Sequence, residues 1–522
     1  MATQRPDDGR IEDVQQLGMI AALASLSYVF WIVGGMEVIE RLAYYGVKAV
    51  ASLYAKDPVS KGGLGIDMNQ YGTVTAIWAF MQSIVPVFTG GLSDRYGYKQ
   101  TIAASTVVKI MGYLTMAAFP SYWGFFAGAM LLATGTAIFK PGIQGTLVKS
   151  TNRQNSSMAW GVFYQTVNIG GFLGPLVAGY LRKLDWTFVF LACGAIISLN
   201  FLMLLLYKEP GKEERIARNE AEKAGGPRES LVTQSVRELR KPHVWSYLLV
   251  FSGFWFMFHS LFDVLPVHIE EWVDTRDIVS TIFGGEGSTN PVIAFFFVMN
   301  EDRTEILPEG MLNVNALLIM LTCFLFAAMS AKMRALNAMV LGTLLATVAL
   351  FLSGWSTLGW ISLGAIAIFS VGEMLASPKF SEFIGNFAPG DKKAMYLGFS
   401  QIPQAIGWTA EGKIGPWLYE RFASKENFSR ELLAERGVSP ADIAAIPQGE
   451  AFDRLVAHTG MPAHDVTALL LQSHDPGVVW YIMAVIGLVS ALGIVGYGRW
   501  VGPGRKPVEQ APPGAPVTPA AQ

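Results

Sequence analysis

Twelve stretches of about twenty mostly apolar residues recur along the chain, and no other feature limits its fold so strongly. They lie near 26–48, 70–91, 101–119, 123–147, 157–181, 185–207, 245–269, 311–331, 337–357, 359–384, 395–419 and 478–500. Each is long enough, as a helix, to cross the roughly 30 Å hydrocarbon layer of a bilayer. Composition agrees: 52% of residues are hydrophobic and 15% charged, against about 25% charged in soluble domains. The chain therefore reads as an all-α, multi-pass membrane protein that meets the lipid bilayer along most of its length.

Six spans fall on each side of a hydrophilic linker at 208–244. This gives an amino-terminal bundle over 26–207 and a carboxy-terminal bundle over 245–500, flanked by a polar segment 1–25 and a Pro- and Ala-rich tail 501–522 expected to be disordered. The linker is rich in Lys and Arg (Lys208, Lys212, Arg215, Arg218, Lys223, Arg228, Arg237, Arg240, Lys241). By contrast, the insertion 270–310 carries only Arg276 and Arg303 beside many acids. This bias predicts cytoplasmic termini and linker, in a cell or inner membrane, with 270–310 and a second insertion 421–477 outside. Segment 421–477 reads as a small helical cap, with Gly437-Val-Ser-Pro-Ala-Asp-Ile echoed by Gly460-Met-Pro-Ala-His-Asp-Val. The run Pro291 to Met299 is too short to span and reads as a strand of a surface hairpin turning at Asn300–Asp302.

The first span is the unusual one. Glu37, Glu40, Arg41, Tyr44 and Lys48 follow the spacing i, i+3, i+4, i+7, i+11, which places them on one side of a helix. A charge at the centre of a membrane helix costs roughly 2.5–3.5 kcal/mol on insertion scales unless it faces a bundle interior or a wet cavity. Four ionisable groups on one face imply such a cavity, as a solute pathway requires. The bland alternative is a closed salt-bridge network that only orders the first helix. A net charge of −2 gives no hint of nucleic-acid binding, and Cys193 and Cys323 lie in apolar stretches without metal or disulfide spacing. No nucleotide-binding loop or nucleophile–base pattern points to ATP-driven transport or to an enzyme.

Gly90-Gly-Leu-Ser-Asp94-Arg95-Tyr-Gly97-Tyr-Lys99 ends the second span and resembles the loop signature of the major facilitator superfamily, in which glycine permits a tight turn and the Asp and Arg brace the two halves. Glu37-Val-Ile-Glu40-Arg41-Leu-Ala-Tyr44-Tyr45-Gly46 resembles the first-helix motif of its proton-coupled oligopeptide transporters. Phe163-Tyr164-Gln-Thr-Val-Asn168-Ile-Gly170 is similar to that family's fifth-helix signature. Gly372-Glu373-Met-Leu-Ala-Ser377-Pro378, followed by Phe387-Ala388-Pro389, resembles its tenth helix, and Lys140-Pro141 sits where the family keeps a buried lysine. Three features depart from the pattern. Phe254-Trp255 leads to Phe258, His259, Ser260 and Asp263 rather than to acidic and glutamine residues. Lys109 has no counterpart. The linker is too polar to supply the two extra helices many bacterial members carry.

The resemblance implies two six-helix bundles moving by alternating access. A peptide carboxylate would be held by Arg41 and Lys140, its ammonium by Glu373, with Asn168, Tyr44 and Tyr45 along its backbone and Trp255 at a side-chain pocket. Protons would be the coupling ion, on Glu37, Glu40 or His259, with no other cofactor and no metal. The family closes its outer mouth with a base of helix one and an acid of helix seven, here Lys48 and Asp263, with His259 a proton-sensitive neighbour. The expected function is proton-driven symport of di- or tripeptides or peptide-like solutes. The alternatives are a major facilitator importer or exporter of another amphoteric solute or drug, and a non-transporting sensor or scaffold.

Overall fold

The computed structural model describes residues 19–501 except 153–154, 214–215, 217–235, 332 and 388–398. The resembling Ala388-Pro389 segment, most of the linker and the tail after Gly502 lie outside these residues. Twelve long helices follow in order: α1 Tyr28–Lys48, α2 Met68–Tyr96, α3 Tyr98–Ala118, α4 Tyr122–Lys149, α5 Ser156–Arg182, α6 Trp186–Leu206, α7 Pro242–Asp263, α8 Pro308–Ala331, α9 Ala335–Trp355, α10 Gly359–Phe387, α11 Ile402–Phe422 and α12 Val478–Val501. Local chemistry sets several starts. Ser27 caps α1, Asp67 and Gln70 form a reciprocal capping box on α2, and Ser121 caps α4. Between α2 and α3 the chain turns at Gly97, whose φ of 106° is closed to most side chains. The side chains of Asp94 and Arg95 beside it lie outside the described residues.

The packing of the first six helices is repeated by the second six. α1 packs on α5 and α6, α2 on α4, and α3 on α4 and α6. Likewise α7 packs on α11 and α12, α8 on α10, and α9 on α10 and α12. The bundles meet through α2 against α11 and α5 against α8, which this repeat also interchanges. Small residues allow the close crossings. A Cβ at Gly170 of α5 would lie 2.5 Å from the Cβ of Arg41, and one at Gly72 of α2 2.8 Å from the Gly412 carbonyl of α11. The most apolar helices, α6, α9 and α12, with mean hydropathy of 2.5, 2.1 and 2.4, pack within their own bundles. The polar helices are thereby left facing the centre.

Two expectations need correction. The stretch 245–269 does not form one helix: α7 stops at Asp263, and a separate helix Leu265–Trp272 follows a break at Val264. Pro266 has no N–H to give the helix before it. Pro291–Phe296 is helical rather than a strand, because Asn290 accepts from the amides of Val292 and Ile293 while Pro291 occupies the first turn. Among the described residues there are only isolated β-bridges, one of them antiparallel between Met299 and Ile306. The segment 421–477 is helical: Lys425–Glu435, Pro440–Ala444, Ala451–Thr459 and Ala463–Ser473. Its sequence echo is punctuation. Gly437 and Gly460, at φ 86° and 66°, each end one helix just before the next begins.

Candidate functional site

The charged face of α1 is buried at the bundle centre. Arg41 Nε lies 3.1 Å from Glu37 Oε1 and its Nη2 2.5 Å from Glu40 Oε2. Lys109 of α3 donates to Glu40 Oε1 at 3.0 Å, and the Thr136 hydroxyl to the same oxygen at 3.4 Å. Lys109 has no counterpart in the resembling family, yet it completes this network. Lys140 of α4, next to the in-helix Pro141, carries its charge beside Glu37, Glu40 and Arg41 and makes no ion pair with a described residue. Two carboxylates thus face three cations. A closed network exists, and it leaves one positive charge over.

Between the bundles lies a small cavity of about 50 Å³. Tyr45 and Asn168 line it from the first bundle. Phe258, Phe262, Asn313, Asn315 and Glu373 line it from the second. Glu373 is 8% exposed and accepts from Asn315 Nδ2 at 3.0 Å, with no cation paired to it among the described residues. Tyr45 is close enough to feel both Arg41 and Glu373. Asn168 gives one amide hydrogen to the Tyr164 carbonyl at 2.9 Å.

Two expected residues lie outside this cavity, and His259 sits beside the Lys48–Asp263 pair. Tyr44 turns away from the cavity, accepts from Gln82 Nε2 at 3.3 Å and packs edge-on to Trp78. Adjacent helical residues point about 100° apart, and here Tyr45 lines the cavity while Tyr44 faces α2. Trp255 is not part of the lining; it packs edge-on against Phe254 and Phe258. His259 stacks on Trp408 of α11 at 4.4 Å and 6°, and neither ring nitrogen has a hydrogen-bond partner among the described residues.

Beyond the cavity, toward the face that carries both insertions, the bundles are pinned together. Lys48 pairs with Asp263, and both are buried at the last residues of α1 and α7. The Tyr71 hydroxyl donates to the same Asp263 oxygen at 2.7 Å, and Lys48 Nζ sits 5.5 and 5.2 Å from the ring centres of Trp78 and Trp408. A second carboxylate, Glu411 of α11, is buried beside them and was not anticipated. It was legible by the rule that marks α1, a charge within an apolar span, as was Lys109. Farther out, Lys56 pairs with Glu271, which also accepts from the Tyr419 hydroxyl at 2.7 Å, while Lys425 of the cap donates to its carbonyl at 2.6 Å. Arg182 at the end of α5 pairs with Glu309 of α8 and lies 3.2 Å from Glu270. Burial, helped by Lys56, pulls Lys425 down to about 8 against the attraction of Glu271. Asp57 is pushed up to about 6 by burial and the nearby Glu270.

No group of three or more metal-ligating side chains is found among the described residues. The sequence matches the Major Facilitator Superfamily model over residues 20–410. Multidrug resistance protein MdtH of Edwardsiella ictaluri is 23% identical over 354 residues, 67% of this chain and 77% of that protein. Peptide transporter YePEPT of Yersinia enterocolitica is 27% identical over 173 residues, 31% of this chain and 34% of that protein. A crystal structure of peptide transporter POT in complex with sulfate superposes with a TM-score of 0.63 at 16% identity, covering 93% of this chain and 99% of that one. The repeated six-helix packing and a family match over most of its length agree: the chain belongs to the major facilitator superfamily.

Proposed function

We propose that this transporter is a proton-coupled symporter of di- or tripeptides or similar zwitterions, with its termini and linker cytoplasmic and its insertion face outside. The observation that carries this reading is the charge arrangement across the cavity. The first bundle holds one unbalanced positive charge at Arg41 and Lys140. Facing the same cavity, the second holds the Glu373 carboxylate, hydrogen-bonded and with no cation paired to it among the described residues. A solute with a carboxylate at one end and an ammonium at the other neutralises both and ties the bundles together. Such a ligand favours the closed state that alternating access passes through. Asn168, Asn313 and Asn315 offer neutral contacts between the charged ends, and Phe258 and Phe262 offer an apolar wall. The likeness in fold to peptide transporters supports the same reading. Glu37 and Glu40, which must each find a cation as the bundles move, are the proposed coupling acids.

A second reading keeps the mechanism and changes the solute. The aromatic stack of His259 on Trp408, where the resembling family has acidic residues, and the longer match to a multidrug resistance protein both favour an amphoteric drug-like solute. Uptake of a small peptide panel into proteoliposomes, with and without an inward proton gradient, separates the two. Gradient-stimulated accumulation of dipeptides is expected. No peptide accumulating under any gradient would rule out peptide symport.

A further inference from the structure

The short helix Pro291–Phe296 of the insertion 270–310 turns its largest side chains outward. Val292, Phe295 and Phe296, spaced i, i+3, i+4, share one face, and Val292 and Phe296 are 60% and 50% exposed. Phe297 beside them is also exposed, and no charged residue occurs from Gly287 to Asn300. Large apolar side chains exposed together mark a surface that meets lipid or protein. Two contacts set the level of this face. The ring of Phe295 meets that of Tyr180 at 6.1 Å, and Val298 packs on Gly179, both near the end of α5. The other helices carry exposed aromatic residues at the same level: Trp123 at the start of α4, Trp355 at the end of α9 and Trp360 at the start of α10. Trp and Tyr gather where a membrane helix leaves the hydrocarbon. The outward face of Pro291–Phe296 thus lies level with an aromatic belt and continues, through the exposed Tyr180, the lipid-facing surface of α5.

The way this helix ends ties it to the other bundle. The Val298 N–H donates to the Phe295 carbonyl at 3.1 Å and the Met299 N–H to that of Ala294 at 3.0 Å, the bonding of a left-handed helix cap that glycine usually makes. Here the residue at φ 50° is a valine, whose branched side chain resists that conformation. What valine adds is a contact. Val298 is buried, and a Cβ on Gly179 would lie 2.4 Å from its Cγ1. A side chain of the second bundle's insertion therefore fills a notch in α5 of the first, and Lys183 at the end of α5 donates to the next carbonyl, that of Met299. We propose that Pro291–Phe297 seats in the interfacial layer of the bilayer, and that this seating holds Val298 in the Gly179 notch as a latch across the α5–α8 seam. The outward side chains gain from apolar burial only while they lie in lipid. Withdrawing Val298 tilts the same short helix and lifts them toward water. Lipid contact thereby favours a seam that is closed at the insertion face. The inference goes beyond the transport reading and does not depend on which solute is carried.

Phosphatidylcholine nanodiscs leave both faces of the protein accessible, so the test needs neither a substrate nor a known orientation. A nitroxide on Phe296→Cys, in a background lacking Cys193 and Cys323, should relax more with oxygen, which concentrates in lipid, than with a water-soluble nickel chelate. Nitroxides on Glu286→Cys and Asp302→Cys, exposed positions on either side, should show the reverse order. Nickel access at 296 equal to that at 286 and 302 would place the helix in water and overturn the proposal. Access of neither reagent at 296 would also overturn it, since a second copy or another protein would then cover the face in place of lipid. The latch is read at Val298→Cys, whose buried thiol meets a water-soluble maleimide only when the segment opens locally. Adding Phe295→Ser and Phe296→Ser should speed that reaction about tenfold, because the open form is then no longer disfavoured by lost lipid contact. An unchanged rate would show that lipid seating does not hold Val298, and the latch would be rejected.

Discussion

Lys56 meets Glu271 eight residues along both segments from where Lys48 meets Asp263. Both α1 and α7 break just after Lys48 and Asp263, and the helices Ala51–Lys56 and Leu265–Trp272 carry the pairing outward. At 1.5 Å per residue the outer pair lies roughly 12 Å along the helix from the inner one. The pairing between the bundles is therefore a two-rung ladder. Its upper rung is held by the cap through Lys425 and by α11 through Tyr419, and its lower rung by Tyr71 of α2.

The rungs should differ in strength. Lys48 and Asp263 are 3% and 0% exposed at their side chains, so removing one partner leaves an uncompensated buried charge and should cost about 3–5 kcal/mol. Glu271 keeps the Tyr419 hydroxyl when Lys56 is removed, so Lys56→Ala should cost less, about 1–2 kcal/mol. Thermal unfolding in detergent would order the two variants. Cysteines at 48 and 263 should cross-link and hold the insertion face shut; failure to cross-link in any condition would reject the gate.

Structural and substrate-facing cations should also separate. Lys109 is fully buried on Glu40, so Lys109→Ala should destabilise the protein by about 3 kcal/mol. Lys140 has no ion-pair partner among the described residues, so Lys140→Ala should leave the melting temperature nearly unchanged and abolish gradient-driven uptake. A Lys140→Ala protein that transports at the wild-type rate would remove the carboxylate clamp from the proposed mechanism. Arg41→Ala should fail in both respects, since it belongs to the network and to the clamp.

Glu373→Gln tests the other end of the ligand. Its carboxylate accepts from Asn315 and has no cation paired to it among the described residues, so the amide can keep the hydrogen bond by rotation and lose only the charge. Uptake of peptides with a free amino group should drop at least tenfold more than uptake of N-acetylated ones. Equal losses would show that Glu373 does not bind the ammonium.

Much of this was legible in the sequence, for identifiable reasons. The spans were readable because each helix has to cross hydrocarbon, which leaves long apolar runs. The charged face of α1 was readable because its spacing is local. What escaped depended on contacts far apart in the chain. Lys109 has meaning only against Glu40, 69 residues away, and Asp263 binds Tyr71 at a separation of 192. Each gave only the signal of one charge or phenol in an apolar run. Pro266 and Pro291 misled for another reason. A proline ends one helix and begins the next with equal ease, and the choice lies with caps such as Asn290.

The proposed coupling acids can be tested by the kind of flux measured. Glu37→Gln or Glu40→Gln removes a titratable group beside Arg41 while keeping a polar side chain there. Accumulation against a gradient requires a proton to be returned in every cycle, whereas counterflow exchange does not. Accumulation should stop while exchange retains a substantial fraction of its rate. Undiminished accumulation in the double variant would place coupling elsewhere, with His259 the next residue to replace.

Asp57 gives the insertion face a pH dependence whose sign is fixed. Its folded pKa of about 6 lies above the usual 3.8, because burial and Glu270 outweigh Arg182, the Trp186 indole N–H and Lys61. Between pH 4 and 6 the folded protein therefore binds a proton that the unfolded chain has released. Where the folded state holds more protons, stability falls as pH rises, so this residue contributes a loss between pH 4 and 6 and a constant penalty above. One pKa unit is about 1.4 kcal/mol, which puts the penalty at about 1–3 kcal/mol for a partly buried group. Asp57→Asn can still accept from Trp186, whose indole N–H lies 3.1 Å from Asp57 Oδ2. The variant should melt higher than wild type at pH 7, and the difference should shrink steadily as pH falls to 4. A difference that stays constant across this range would show that Asp57 titrates with its ordinary acidity and that Glu270 is too well solvated to disturb it.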